Sequence, residues 1–312
     1  MDNRIPDDAR DFEQAATSRF AAAGAVGLAR RAQYRPDVRS EALAALDDLG
    51  VDELDVRADG EQLIAGALLC RAAGSVMLPA PVAPRLLAIG SRWSALVDPR
   101  HPMVDHGDLG PGWAGLDLSG RRWQLQPGER VTKRLAPFLR EATLSEPEQA
   151  ADPKDLARQL LLESWSILGA ATAAFEHTRT HVLEREQFGH PLAGFQTVRF
   201  TVADGYVRLR GLEESAKYAT WRLPSVAVAQ ARADAIGVRL HAVDVAISTL
   251  RVAHQLHGAV GFCDETDVSI LDTHLQPLLR LPAGVDALAR ELAPAIGDGS
   301  FTGLDGTSTH AR

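Results

Sequence analysis

Three long stretches with a helical rhythm constrain this chain more than any other feature. Between Asp155 and Glu184, the residues Leu156, Leu160, Ile167, Ala171, Ala174, Thr178 and Val182 fall mostly at helical spacing. From Val198 towards Trp221, the positions Val202, Gly205, Leu209, Leu212, Ala216 and Ala219 follow in steps of four and three. The series Ala231, Ala235, Val238, Ala242, Val245, Thr249 and Val252 repeats the pattern. Apolar positions at this period mark one face of a helix. Small residues along the stripes let helices approach closely, which predicts long antiparallel helices with four-helix-bundle geometry. A last helical segment, Gly284 to Ile296, closes the bundle, and residues 151–312 read as one C-terminal helical domain. The tail from Gly297 is expected to fray.

The first 90 residues also read as helical, with Phe12 to Ala32, Arg39 to Leu49 and Glu61 to Ala73 as segments before Pro79, Pro81 and Pro84 interrupt the chain. The texture then changes. Trp93 to Val97, Trp113 to Leu118 and Arg122 to Leu125 are short apolar or alternating runs separated by glycine and proline, which predicts short strands with turns. That gives a small antiparallel sheet and a linker from Glu141 to Asp155, so that residues 91–150 form a reduced β domain. His101, Asp105, His106 and Asp108 lie close together in sequence, but their spacing fits no metal template and they read as a solvated loop; no metal ligand is assigned.

Charge and cysteine content narrow the class. With 33 basic against 41 acidic residues the formal net charge is −8, so nucleic acid is not an expected partner. Two cysteines, Cys70 and Cys263, are too few for a disulfide framework or a zinc site and fit a reducing compartment. The N-terminus is charged and no apolar run approaches the ~20 residues of a membrane span, so a soluble cytoplasmic protein without membrane contact is expected.

Several chemistries are excluded by the motifs they would need. No Glu-x-x-His occurs for a di-iron bundle, no Gly-x-Ser-x-Gly for a serine hydrolase, and no P-loop or Gly-x-Gly-x-x-Gly turn for a nucleotide fold. Two stretches remain. In Arg185-Glu186-Gln187-Phe188-Gly189-His190-Pro191-Leu192-Ala193-Gly194-Phe195-Gln196, one long helix ends and another begins. Such a corner sets a guanidinium beside the free amides of a helix N-terminus, a combination that favours a phosphate; an ordinary helix–helix turn with a surface arginine reads equally well. In His254-Gln255-Leu256-His257-Gly258-Ala259-Val260-Gly261-Phe262, glycines end the third helix beside a glutamine, which also describes a plain helix C-cap.

Taken together, Arg-x-Gln-Phe-Gly followed by Phe-Gln, then Gln-Leu-His-Gly-x-x-Gly-Phe with Glu265 after it, resemble the C-terminal helical domain of the acyl-CoA dehydrogenase family from about Leu156 to Phe262. The resemblance implies a mainly α, acyl-CoA dehydrogenase-like fold: an N-terminal helical domain (1–90), an abbreviated β middle domain (91–150) and a C-terminal four-helix bundle (151–312). It implies FAD shared across a subunit interface, with Arg185 on the pyrophosphate, Gln187, Phe188 and Gln196 supporting the nucleotide, and Gln255 and the amides around Gly258 completing the grip. Ala259 stands where the family usually has a second glycine. The family's glutamate base is not found. One of its positions falls at Leu281, Pro282 and Ala283. The other falls near Gln159, with Glu163 one turn on and expected to point elsewhere. The family's Thr-Glu-x-x-x-Gly-Ser flavin loop is also not found in Trp93 to Pro127.

The expected protein is therefore the short, non-catalytic subunit of a bacterial two-subunit acyl-CoA dehydrogenase, an oxidoreductase of lipid metabolism. It pairs with a homologous catalytic subunit in a heterotetramer that is a dimer of dimers and dehydrogenates an acyl-CoA; some such enzymes take thioesters of steroid side chains. No catalytic residue is assigned to this chain itself. Two alternatives stay open: a self-sufficient dehydrogenase with Glu163 or Glu265 as a displaced base, and a flavin-free scaffold subunit.

Overall fold

The computed structural model describes residues 4–132, 135–148, 152–299 and 301. The N-terminal stretch folds as α1 (Asp7–Ala22), α2 (Val26–Tyr34), α3 (Arg39–Asp47), α4 (Gly60–Ser75) and the short α5 (Val82–Leu86). The run from Phe12 to Ala32, expected as one helix, breaks at Ala23–Ala25, because Gly24 and Ala25 take positive φ angles of 114° and 47°. At Asp59 the side chain accepts from the Gln62 amide at 2.8 Å, which satisfies one free donor at the start of α4.

A five-stranded sheet follows, built from β1 (Trp93–Leu96), β2 (Met103–Asp105), β3 (Trp113–Leu116), β4 (Arg122–Arg130) and β5 (Leu139–Glu148) in the order β1-β3-β4-β5-β2. The sheet is mixed rather than purely antiparallel, since β1 and β3 run parallel from Trp93↔Trp113 to Leu96↔Leu116. It also reaches further than expected. The segment from Glu141 to Glu148, read as linker, belongs to β5, where Ala142 and Leu144 turn inward against exposed Glu141, Thr143 and Ser145. Between β1 and β3, the Trp93 and Trp113 rings meet edge to face at 5.7 Å over a small core with Val97, Val104 and Leu125.

The third part contains the expected stripes as α6 (Asp155–Glu184), α7 (Gln196–Arg222) and α8 (Val228–His257), with a two-stranded hairpin of β6 (Glu186–Gln187) and β7 (His190–Pro191) between α6 and α7. The closing helix is α10 (Val285–Gly297). A helix not foreseen, α9 (Asp267–Arg280), packs on α6 and α8; Thr266 caps it and Pro277 lies inside it, which obscured its pattern. Among the described residues, no helix is long and apolar enough to cross a membrane. Of the tail, Phe301 packs against the core, and 302–312 lie outside the described residues.

Where α4 crosses α6, two glycines set the spacing. A Cβ on Gly169 would stand 2.0 Å from the Arg71 carbonyl oxygen, and one on Gly74 would stand 2.0 Å from that of Ser166. Backbone cannot step aside as a side-chain tip can, so the N-terminal helices lie against the bundle only because both positions lack a side chain.

The supposed solvated loop is solvated only in part: His101 and Asp108 are exposed, Asp105 is half-buried and His106 is buried against the helices. Asp105 ends β2, and the His106 ring packs on Phe138 at 4.9 Å between centroids. The His274 ring of α9 meets the same phenyl at 5.3 Å, and the Arg39 guanidinium lies over it at 4.6 Å while pairing with Asp108. Among the described residues, no group of three or more His, Cys, Asp or Glu is placed to hold a metal. Burial pushes both imidazoles, His106 and His274, down to about 3, and pushes Asp105 up to about 7.

Two expectations follow from this packing. Gly169→Ala forces α4 and α6 apart and lowers stability by roughly 3 kcal/mol, read from the denaturant midpoint; an unchanged midpoint contradicts the close crossing. His106 and His274 bind protons near pH 6.5 when unfolded but only near 3 when folded, so each costs stability as pH falls from 6.5 towards 3. Asp105 acts oppositely: its stabilising share is full below 3.8 and is lost as pH rises through about 7. Two imidazoles outweigh one carboxyl, so stability falls on acidification over this window, and His274→Gln makes the fall shallower.

Candidate functional site

At one end of the bundle the chain turns twice. α6 stops at Glu184, and Arg185 leaves it in an extended conformation after its amide donates to the His181 carbonyl at 2.8 Å. The hairpin then pairs Glu186 with Pro191 and Gln187 with His190. Its two turn residues, Phe188 and Gly189, both have positive φ, 55° and 85°. That is the pattern of a tight hairpin turn, with glycine at its second place as such turns require. A phenylalanine at the first place is strained, and its ring stands 88% exposed, touching Phe195 edge to face at 6.2 Å. The chain returns with the Leu192 amide donating to the Arg185 carbonyl at 2.8 Å, and α7 starts at Gln196 without a side-chain cap. Its first amides are thus left open at this corner.

The second stretch ends at the same place. α8 terminates at Gly258 with φ 64°, followed by a 3-10 turn over Gly258–Phe262. The His257 ring stacks on His181 of α6 at 4.2 Å, so the C-termini of α6 and α8 meet. Arg185, Gln187, Phe188, Gln196, Gln255 and Gly258 are all exposed. Among the described residues, the Arg185 guanidinium makes no ion pair or hydrogen bond, and neither do the side-chain amides of Gln187, Gln196 and Gln255. Donors left open at this exposed corner suit a polyanionic ligand, and the fit of FAD's pyrophosphate to this set is chemical: a planar fork, uncapped helix amides and three neutral amides. Ala259 is exposed at this rim, so its methyl group faces solvent and does not crowd the core.

The interior tells a different story. Gln159 is fully buried; its Nε2 donates to the Ser94 carbonyl at 2.7 Å and to Glu163 Oε1 at 3.2 Å, while Ser94 Oγ donates to its Oε1 at 2.9 Å. Glu163 therefore shares the face of Gln159, against the register expected for it, because residues four apart on a helix are neighbours. Its other oxygen lies 3.3 Å from Arg239 Nη2, and that nitrogen also donates to the Leu281 carbonyl at 2.7 Å. Burial raises the Glu163 pKa, and Arg239 and Gln159 act against that rise. Glu163, Ser166, Asp105 and His106 line a cavity of about 90 Å³ closed by apolar residues such as Met77, Leu96 and Leu281. That volume holds a few waters and is far below the ~300–1,000 Å³ of ordinary ligand pockets.

Arg239 and the His181–His257 pair were not singled out in the sequence. A charged residue beside the α8 stripe was the available signal for Arg239, and four histidines near two helix ends were the signal for the pair. Glu265 is exposed, with its backbone carbonyl accepting from Arg30 at 3.2 Å.

Residues 156–292 match the model of the acyl-CoA dehydrogenase C-terminal domain. Acyl-CoA dehydrogenase FadE28 of Mycobacterium tuberculosis is 35% identical over 94 residues, which are 30% of this chain and 27% of that protein, so the match spans about a quarter of the relative's length. The ChsE4–ChsE5 complex of Mycobacterium tuberculosis superposes with a TM-score of 0.77 at 15% identity, over 96% of this chain and 99% of the other. A steroid ACAD, Tcur3481–Tcur3483, gives 0.76 at 17% identity, over 95% and 99%. Residues 156–292 thus match the acyl-CoA dehydrogenase C-terminal domain, within a chain whose whole fold is that of the acyl-CoA dehydrogenases.

Proposed function

We propose that this chain is the non-catalytic subunit of a two-subunit, FAD-dependent acyl-CoA dehydrogenase. The observation that carries the reading is a contrast within one molecule. Its outer corner leaves Arg185 and three glutamine amides open, while its inner base position is occupied by Gln159 and by a Glu163 already paired with Arg239. In this reading Arg185 holds the pyrophosphate, Gln187, Phe188 and Gln196 steady the nucleotide, and Gln255 with the amides near Gly258 completes the grip. Bound FAD supplies the hydride acceptor for α,β-dehydrogenation of an acyl-CoA. This chain's residues bind and orient the dinucleotide, and proton abstraction belongs to a homologous partner. The cavity beside Glu163, about 90 Å³, supports that division because it is small for an acyl chain. The fold shared with the ChsE4–ChsE5 complex and with a steroid ACAD supports a heteromeric assembly and a steroid-type substrate. The reading includes a dimer of dimers in the cytoplasm, with three units at 1–90, 91–150 and 151–312.

One specific observation keeps a second reading in view. Glu163 is a desolvated carboxyl with a raised pKa beside a cavity, which is the environment a general base needs. In that reading the chain is self-sufficient. Two substitutions in the assembled enzyme separate the cases. Arg185→Lys keeps the charge and removes the fork, so flavin retained per complex drops, by about 1–3 kcal/mol of binding; unchanged flavin absorbance contradicts the proposed grip. Glu163→Gln leaves acyl-CoA turnover in place under the first reading and abolishes it under the second.

A further inference from the structure

The grip described above leaves unused the imidazoles that join its two halves. His177 and His181 lie four residues apart on one face of α6, and Arg185 leaves the helix directly after its last residue. His254 and His257 stand in the last turn of α8. The inner two, His181 and His257, stack with ring centroids 4.2 Å apart and planes 18° apart. His257 Nδ1 lies 2.9 Å from the Ala253 carbonyl and must donate to it, which leaves Nε2 with its lone pair.

The outer two imidazoles already have carboxylates. His177 lies 3.7 Å from Asp267, which also pairs with Arg30, and His254 Nε2 lies 3.0 Å from Asp272. The inner pair has no ion-pair partner among the described residues. Burial holds His181 below its ordinary value, followed by His257 and Arg185, with Glu184 and the Leu256 carbonyl opposing. Burial also leads for His257, where the Ala253 carbonyl opposes and His177 and His254 add to the lowering. Near neutral pH the stack is therefore uncharged. It is half-buried and adjoins the one open guanidinium of the corner.

We propose that the His181–His257 stack is a proton-loaded part of the anion site: it takes up one proton from solvent when a dinucleotide pyrophosphate binds beside Arg185, so that affinity rises as pH falls through the imidazole range. The inference rests on the reading of Arg185 as the pyrophosphate ligand. One proton is the limit, because two imidazolium rings at stacking distance repel. Uptake breaks no contact, since an imidazolium donates from both nitrogens and the bond to Ala253 persists.

The test titrates FAD into the flavin-stripped assembly of this chain with its partner at about pH 8 and about pH 5.5, a range over which its pyrophosphate diester keeps both charges. The expected result is an affinity roughly threefold to tenfold higher at the acidic end, with proton uptake on binding. The double variant His181→Phe, His257→Phe has no titratable ring in the stack and lacks the rise. Ring proton resonances of the unaltered chain give the same answer without substitution: the titration midpoint of the pair must move up when FAD is added. Affinity that ignores pH, or a rise that survives in the double variant, overturns the proposal while leaving the grip intact, provided Arg185→Lys still weakens binding. Binding indifferent to Arg185→Lys, or no binding at either pH, overturns the reading of the corner itself.

Discussion

A single carboxylate ties the parts of this molecule together. Asp155 is 1% exposed and receives Arg57 at 2.9 and 3.1 Å, Arg122 at 3.1 Å and Arg158 at 3.2 Å. Arg57 comes from the N-terminal helical region, Arg122 from strand β4 and Arg158 from α6 itself. Burying ions is costly unless each finds partners, and here each partner comes from a different part of the chain. Arg57 also donates to the Leu87 carbonyl at 3.0 Å, and Arg158 also pairs with Asp152 at 2.8 Å. The arrangement forms only when helices, sheet and bundle are all in place. It fixes the first turn of α6, and the 30 residues of that helix carry the fixed position over roughly 45 Å to Arg185.

The two ends of α6 therefore have opposite characters. From its start to its middle it is buried, ion-paired at Asp155 and closed at Gly169 by the crossing with α4. At its finish it presents unpartnered donors to solvent. Polar groups that a fold leaves open at a rigid corner are available to a ligand, whereas those it satisfies internally are withdrawn from chemistry. Gln159, Glu163 and Arg239 Nη2 form one buried chain of contacts that ends on the Leu281 carbonyl, while Arg239 Nε and Nη1 have no protein partner. Arg185 and its glutamines have no such partners. Under the proposed division of labour, such a chain holds a cofactor for chemistry carried out elsewhere.

Much of this was legible in the sequence because the signals were periodic. The stripes of α6, α7 and α8 announce themselves by spacing alone, and the glycines after Arg185 and His257 mark where helices must stop. The losses have physical causes too. β5 presents only Ala142 and Leu144 to the core among polar neighbours, so its alternation is faint, and α9 carries Pro277 inside a helix. The Asp105–His106 pair looked like a wet loop because sequence cannot show that Phe138 and His274, distant in the chain, come to cover it. Glu163 was assigned the wrong face although its four-residue step from Gln159 was there to count. Arg239 was invisible as a partner for Glu163 because that pairing exists only in three dimensions.

The division between gripping and reacting is open to one direct measurement. The chain is purified alone, and again together with a homologous acyl-CoA dehydrogenase chain that has an intact glutamate, and each preparation is assayed for flavin absorbance and acyl-CoA-dependent dye reduction. A shared site gives activity and a yellow colour only in the assembly. A yellow, active enzyme from this chain by itself contradicts it.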